Sequence, residues 1–138
     1  MKEVKILLVE DNEGDILLTR EALKEARIKN EIRVAMDGQE ALDILSGDEL
    51  PDLILLDINL PKIDGLEVLA TIKKDDRLKR IPVIVLSTSS AESDISASYN
   101  NYANCFITKP VDLAKFIGVV KTIEDFWISI VKLPQNQY

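Results

Sequence analysis

Three apolar runs in this chain each end on charged side chains. Leu53-Ile54-Leu55-Leu56 runs into Asp57, Ile6-Leu7-Leu8-Val9 into Glu10-Asp11, and Phe106-Ile107-Thr108 into Lys109. Apolar stretches with no polar residue at alternate positions are what strands covered on both faces look like, and such strands belong to parallel sheets. In an open parallel sheet, ligands bind in the crevice at the carboxyl ends of the strands. If the three runs lie side by side, three carboxylates and one ammonium converge on one pocket.

The remaining pattern is a strict alternation of strand and helix. Glu31–Met36 reads as a short strand, Pro82 opens another at Val83–Leu86, and the outer runs extend to Lys5–Val9 and Asn104–Thr108. Between them lie amphipathic stretches. Leu18, Ala22 and Ala26 recur at four-residue spacing near Ile16 and Leu23. Ala41 and Leu45 follow Asp37-Gly38, and Leu66, Leu69 and Ile72 follow Pro61 and Asp64-Gly65. The stretch after Ser87 is a weaker helix former, because Ser93, Ser96, Ser98, Asn100 and Asn101 interrupt its stripe of Ile95, Tyr99 and Tyr102. The last helix carries Leu113, Phe116, Ile117, Val120, Ile123 and Trp127, with Asp112 placed to cap it. This alternation predicts an α/β fold: a doubly wound five-stranded parallel sheet with right-handed crossovers and helices on both faces. A closed eight-unit barrel needs far more than 138 residues. The pattern alone leaves the strand order open.

Composition narrows the function classes. The net charge of −7 argues against a nucleic-acid partner. Cys105 is the sole cysteine, so no internal disulfide forms, and the absence of histidine removes Ser-His triads, histidine metal sites and phosphohistidine from this chain. No segment approaches the ~20 apolar residues of a membrane span, and a cytoplasmic protein is expected.

Glu10-Asp11, Asp57, Ser87 and Lys109 each fall at the end of a different strand. With Asp57-Ile58-Asn59-Leu60-Pro61 and Ile107-Thr108-Lys109-Pro110, they resemble the receiver domain of two-component response regulators over essentially the whole chain. The resemblance implies the flavodoxin-like strand order 2-1-3-4-5. It also implies that Asp57 accepts a phosphoryl group, that Glu10, Asp11 and Asp57 hold Mg²⁺ with the Asn59 backbone carbonyl, and that Ser87 and Lys109 meet the phosphoryl oxygens. Phe106 takes the position of a switch aromatic, and Ser87 acts in the same switch. Three departures from the family stand out: Glu10 where an Asp is more usual, Ser87 where Thr is commoner, and Thr88 where the next residue is often small.

The residue types suit that chemistry. Carboxylates ~4 Å apart repel by about 4 kcal/mol per pair at an effective dielectric of ~20, so a divalent ion is needed before one of them acts as a nucleophile. Mg²⁺ takes oxygen ligands, few of them protein carboxylates. An aspartate nucleophile yields an acyl phosphate, whose oxygens a lysine and a hydroxyl can answer. Taken singly, each residue also has a bland reading. Asp57 could cap the next helix, Glu10-Asp11 could start one, Lys109 could be a surface lysine, Ser87 could belong to a polar loop, and Phe106 could be plain core. The conjunction favours the site for the first four, and Phe106 stays open between switch and core.

Two enzyme classes compete poorly. An aspartate-nucleophile hydrolase needs a second Asp two residues after the first, where Asn59 stands, and an FMN carrier needs a hydroxyl- and Gly-rich loop where Glu10–Asp15 is acidic. A phosphorylation-independent receiver-like binding module is the alternative function. The expected organisation is a receiver domain over 1–131 and a short tail over 132–138, with no output domain and no enzymatic role beyond the chain's own phosphorylation and dephosphorylation. The phosphoryl donor is then a histidine kinase or phosphotransfer protein. Glu10-Asp11-Asn12, the Ser-rich loop, and Phe126-Trp127 with Lys132-Leu133-Pro134 resemble single-domain receivers paired with phytochrome-type histidine kinases. Val119, Phe126 and Ile130 widen the apolar stripe of the last helix beyond what a surface helix needs, which predicts homodimerisation or partner docking there.

Overall fold

The computed structural model describes residues 3–24, 29–87 and 105–108. In chain order it contains β1 (Val4–Val9), α1 (Glu13–Lys24), β2 (Asn30–Ala35), α2 (Gly38–Leu45), β3 (Leu53–Asp57), α3 (Gly65–Lys74), β4 (Val83–Ser87) and β5 (Cys105–Thr108). The strands form one parallel sheet in the order β2-β1-β3-β4-β5. Both the doubly wound sheet and its order match the expectation. The expected helices after Ser87 and after Asp112 lie outside the described residues.

The continuous apolar runs are explained by two separate cores. Leu7 and Val9 of β1, Ile54 and Leu56 of β3, and Val83 and Val85 of β4 pack with Ala41 and Leu45 of α2 and with Val68, Leu69 and Ile72 of α3. The alternate residues, Ile6, Leu8, Leu53, Leu55, Ile84 and Leu86, pack on the other side with Ala22 and Leu23 of α1. A strand buried on both faces has no position for a polar residue, so β3 is buried along its whole length. The edge strand β2 pairs only with β1. It keeps Glu31 and Arg33 exposed between half-buried Ile32 and Val34, and charges of this kind discourage edge-to-edge pairing.

Several boundaries shift from the sequence reading. β2 covers Asn30–Ala35 rather than Glu31–Met36, and Met36 is 40% exposed beyond its end. In α1, Thr19 joins Ala22 and Leu23 as a buried residue while Leu18 is only half-buried. The reason is that the Thr19 hydroxyl donates 2.8 Å to the Asp15 carbonyl, which satisfies it inside the helix and lets its methyl pack. In α3, Val68 is fully buried and Leu66 only half so.

Side chains tie the turns at the far end of the helices. Arg77, in the turn after α3, donates from Nη1 to the Leu45 carbonyl at 2.8 Å and from Nη2 to the Gly47 carbonyl. It thereby satisfies acceptors at the carboxyl end of α2. Lys73 donates to the Ile81 carbonyl at 2.8 Å and to the Lys79 carbonyl at 3.1 Å. Its partial burial holds the ammonium pKa below the ordinary lysine value.

Leu69 sits fully buried between α3 and the sheet. Leu69→Ala is expected to cost about 2–5 kcal/mol through lost burial and the cavity left behind. Leu17→Ala, at a position 60% exposed, should stay within roughly 0.5 kcal/mol of wild type. Urea denaturation checks both, through a lower midpoint at unchanged slope for Leu69→Ala alone.

Candidate metal and phosphoacceptor site

Strand register brings the acidic residues together. Val9 pairs with Leu56 across β1 and β3, so the next residues, Glu10 and Asp57, stand at the same level. The Glu10 N–H continues the ladder by donating 2.9 Å to the Ala35 carbonyl of β2. Side-chain alternation then matters: Glu10 continues the series Ile6, Leu8, and Asp57 continues Leu53, Leu55, which face the same core. Both carboxylates therefore emerge on one side of the sheet, and both are buried, at 2% and 4% exposure. Asp11 is exposed beside them. One carboxylate oxygen from each of Glu10, Asp11 and Asp57 lies within 4.8 Å of the others.

Backbone donors orient the two buried groups. The Asn12 N–H donates 3.2 Å to Glu10 Oε2, and the Asn59 N–H donates 3.0 Å to Asp57 Oδ1. Neither carboxylate serves as a helix cap, which displaces the bland readings of both. Asn12 caps α1, its side chain accepting the Asp15 N–H at 2.9 Å, and Asp64 caps α3, accepting the Leu66 N–H at 3.2 Å. Gly65 lets α3 start hard against β3, since a Cβ there would overlap the Asp57 carbonyl oxygen and the Ile58 Cα. The Gly65 N–H donates 3.1 Å to the Ile58 carbonyl and closes the loop.

The donor set fits a hard divalent cation. All three side chains offer oxygen, and two are desolvated anions that repel each other unless a cation lies between them. Mg²⁺ and Mn²⁺ prefer such oxygen ligands, and Mg²⁺ keeps several waters, for which the exposed Asp11 side of the cluster leaves room. Glu10, Asp11 and Asp57 thus lie together, with the Asn59 N–H bonded to Asp57 Oδ1. Ser87 ends β4 one position beyond Asp57, because Asp57 pairs with Leu86, and Ser87 in turn pairs with Thr108 at the end of β5. Lys109, and the side chains of Ser87 and Phe106, lie outside the described part of the structure.

Sequence reading alone passes over a second layer beside this site. Asp37 caps α2, its Oδ1 accepting the Glu40 N–H at 2.8 Å, and its Oδ2 lies 3.4 Å from Lys62 Nζ in the β3–α3 loop. Lys62 has a positive φ of 66°, a left-handed conformation that costs an L-residue roughly 1–2 kcal/mol. No sequence signal marks Lys62.

A chain with this sheet order and an acidic cluster at the ends of β1 and β3 belongs to the response regulator receiver domain family, whose model matches residues 6–121. The response regulator Rcp1 of Synechocystis sp. is 47% identical over 135 residues, which span 94% of this chain and 92% of that protein. Among solved structures, the phosphorylated cyanobacterial phytochrome response regulator RcpA is 50% identical, with a TM-score of 0.87 over 94% of this chain and 96% of that one. The Mn²⁺-bound form of Rcp1 is 47% identical with a TM-score of 0.83, over 90% of this chain and 94% of that one. The family is one of two-component signalling proteins. Among the described residues, no helix is long and apolar enough to cross a membrane.

The Asp37 carboxyl pKa lies below its ordinary value of 3.8, chiefly because the Glu40 N–H donates to it, with Lys62 adding a further lowering against the opposing effect of desolvation. A carboxylate whose folded pKa is depressed contributes stability above its unfolded pKa and loses it as pH falls through the folded value. Wild type should therefore lose stability relative to Asp37→Asn as pH drops from above 3.8 through that lower value. Urea midpoints for the two proteins between pH 7 and pH 2.5 check the sign. Parallel pH profiles would remove Asp37 from the acid response.

Proposed function

We propose that this protein accepts a phosphoryl group on Asp57 from a phosphohistidine of a partner protein, in a reaction that depends on Mg²⁺. The observation that carries the reading is the cluster of Glu10, Asp11 and Asp57 at the ends of adjacent strands. Glu10, Asp11, Asp57 and the Asn59 main-chain carbonyl would hold the cation. Bound there, Mg²⁺ supplies charge neutralisation for the carboxylates and for the phosphoryl oxygens during transfer.

The chain's own groups do the rest. A carboxylate oxygen of Asp57 attacks phosphorus in line with the leaving imidazole nitrogen. The new O–P bond forms as the P–N bond breaks, and the imidazole leaves with the electron pair. The Asn59 N–H donates to Asp57 Oδ1 and so orients the carboxylate. Ser87 and Lys109, at or just beyond the ends of β4 and β5, answer the phosphoryl oxygens, and Phe106 follows the Ser87 movement. The donor is on another protein, because this chain has no histidine. The likeness to the cyanobacterial phytochrome response regulator RcpA supports a phytochrome-type histidine kinase as that partner. The chain catalyses only its own phosphorylation and the later hydrolysis of the acyl phosphate.

Asp57→Asn should abolish incorporation of label from a phosphohistidine donor or a small acyl phosphate while preserving the circular dichroism of the fold. Removal of Mg²⁺ with a chelator should do the same to wild type. Base-labile label at wild-type levels in Asp57→Asn would place the acceptor elsewhere.

Self-association belongs to the same reading, through the last strand–helix region. The breadth of its apolar stripe supports it, since exposed apolar patches mark interfaces and symmetric dimers are the commonest assembly. Sedimentation of wild type and Phe126→Glu, with and without phosphorylation, should give a dimer for wild type that phosphorylation strengthens and Phe126→Glu loses. A monomer in all conditions at tens of micromolar would leave that face to a heterologous partner.

A further inference from the structure

The segment between β3 and α3 meets the start of α2 at two consecutive positions. Lys62 Nζ lies 3.4 Å from Asp37 Oδ2. Gly38 abuts Ile63 so closely that a Cβ at position 38 would overlap the Ile63 carbonyl oxygen and Cβ. At the first contact the chain is in the left-handed region, at φ 66° for Lys62. A lysine does not adopt that conformation by preference, so its surroundings must over-determine it. The ion pair to the Asp37 cap and the packing of Ile63 on Gly38 both act at this turn. Asp37 is itself fixed, because its other oxygen accepts the Glu40 N–H at 2.8 Å and its side chain is only 17% exposed.

We propose that Asp37 and Lys62 are positioning residues for the divalent cation. Their pair holds the left-handed turn at Lys62, and that turn sets the 58–63 segment, with Asn59 in it, against the acidic cluster. Neither residue touches the cation. Asn59 stands three residues before Lys62, between the fixed strand end at Asp57 and the pinned turn. Its N–H bonds to Asp57 at 3.0 Å, so a shift of the turn moves a main-chain unit already engaged with the cluster. The inference rests on the reading of Glu10, Asp11 and Asp57 as the cation site, and Asp11→Ala tests that reading separately.

The expected effect is small and depends on salt. Lys62 is 68% exposed, and exposed pairs are screened by salt and modest in strength. In calorimetric titrations with Mg²⁺ at low ionic strength, Asp37→Asn and Lys62→Met should each raise the dissociation constant about two- to fivefold, the range such a pair supports. The double variant should be no worse than either single one, because both remove the same interaction. The ratio to wild type should approach one in ~1 M potassium chloride, where the screening length is about 3 Å. Asp37→Asn keeps an oxygen for the Glu40 N–H, so loss of the cap alone does not explain weaker binding. Lys62→Gly in the Asp37→Asn background should restore affinity, since glycine holds the left-handed turn without the pair.

Wild-type affinity in Asp37→Asn and Lys62→Met, with Asp11→Ala clearly weakened, overturns the positioning role and leaves the cation site standing. Wild-type affinity in Asp11→Ala as well overturns both. Failure of the glycine to restore binding overturns the role of the turn.

Discussion

Two buried carboxylates, Glu10 and Asp57, set the terms for everything around them. Each terminates an apolar strand, each is nearly inaccessible, and they share a few ångströms of space with Asp11. An isolated buried anion is costly and a cluster of them more so. The fold meets part of that cost with main-chain donors from Asn12 and Asn59. Main-chain N–H groups carry no net charge and do not neutralise a carboxylate. The arrangement makes physical sense as one half of a site whose other half is a cation.

The rest of the structure delivers those carboxylates to one place and keeps them there. Strand register sets their level along the sheet, and side-chain alternation sets their face. Close packing at Gly65 brings α3 against the Asp57 main chain, while Asn12 anchors the start of α1 just after Asp11. The α2 and α3 core on one face and the α1 core on the other leave β3 no freedom to slide. A one-residue slip would carry its buried residues to the opposite face and take Asp57 out of the cluster.

Much of this was legible in the sequence, for reasons that differ by element. The runs at β1, β3 and β4 were clear because double-sided burial leaves no polar residue to blur them. The helices α2 and α3 announced themselves through Asp37-Gly38 and Asp64-Gly65, where a cap precedes a glycine that must sit against another segment of the chain. The acidic cluster was legible because three strand-terminal residues carried the same charge. The end of β2 was less so, since an edge strand alternates and Met36 prolongs the apolar pattern past the last paired residue. Thr19 was missed because its polarity is cancelled by a bond within its own helix. The Asp37–Lys62 contact was invisible for a more general reason. It joins residues on two different loops, and a positive φ at a lysine leaves no mark in composition or period.

The same electrostatics connects stability to signalling. A ligand that binds only the folded chain stabilises it, by about 2.7 kcal/mol at a concentration 100 times its dissociation constant, so cation binding here offsets the repulsion stored among Glu10, Asp11 and Asp57. In the proposed reaction, a phosphoryl group carrying roughly −1.5 to −2 charges takes the place of the carboxylate's single charge, so this same point becomes more negative by about 0.5 to 1. A divalent cation offsets only two of three carboxylate charges, and the imbalance then grows. In the proposed reaction that excess would be met by Ser87, which ends β4, and by Lys109, the next residue in sequence after β5. The sheet core cannot deform to provide it, because its strands are packed on both faces. In that reading, any rearrangement would fall to the segments that follow the strand ends, the usual place for binding residues on a rigid scaffold.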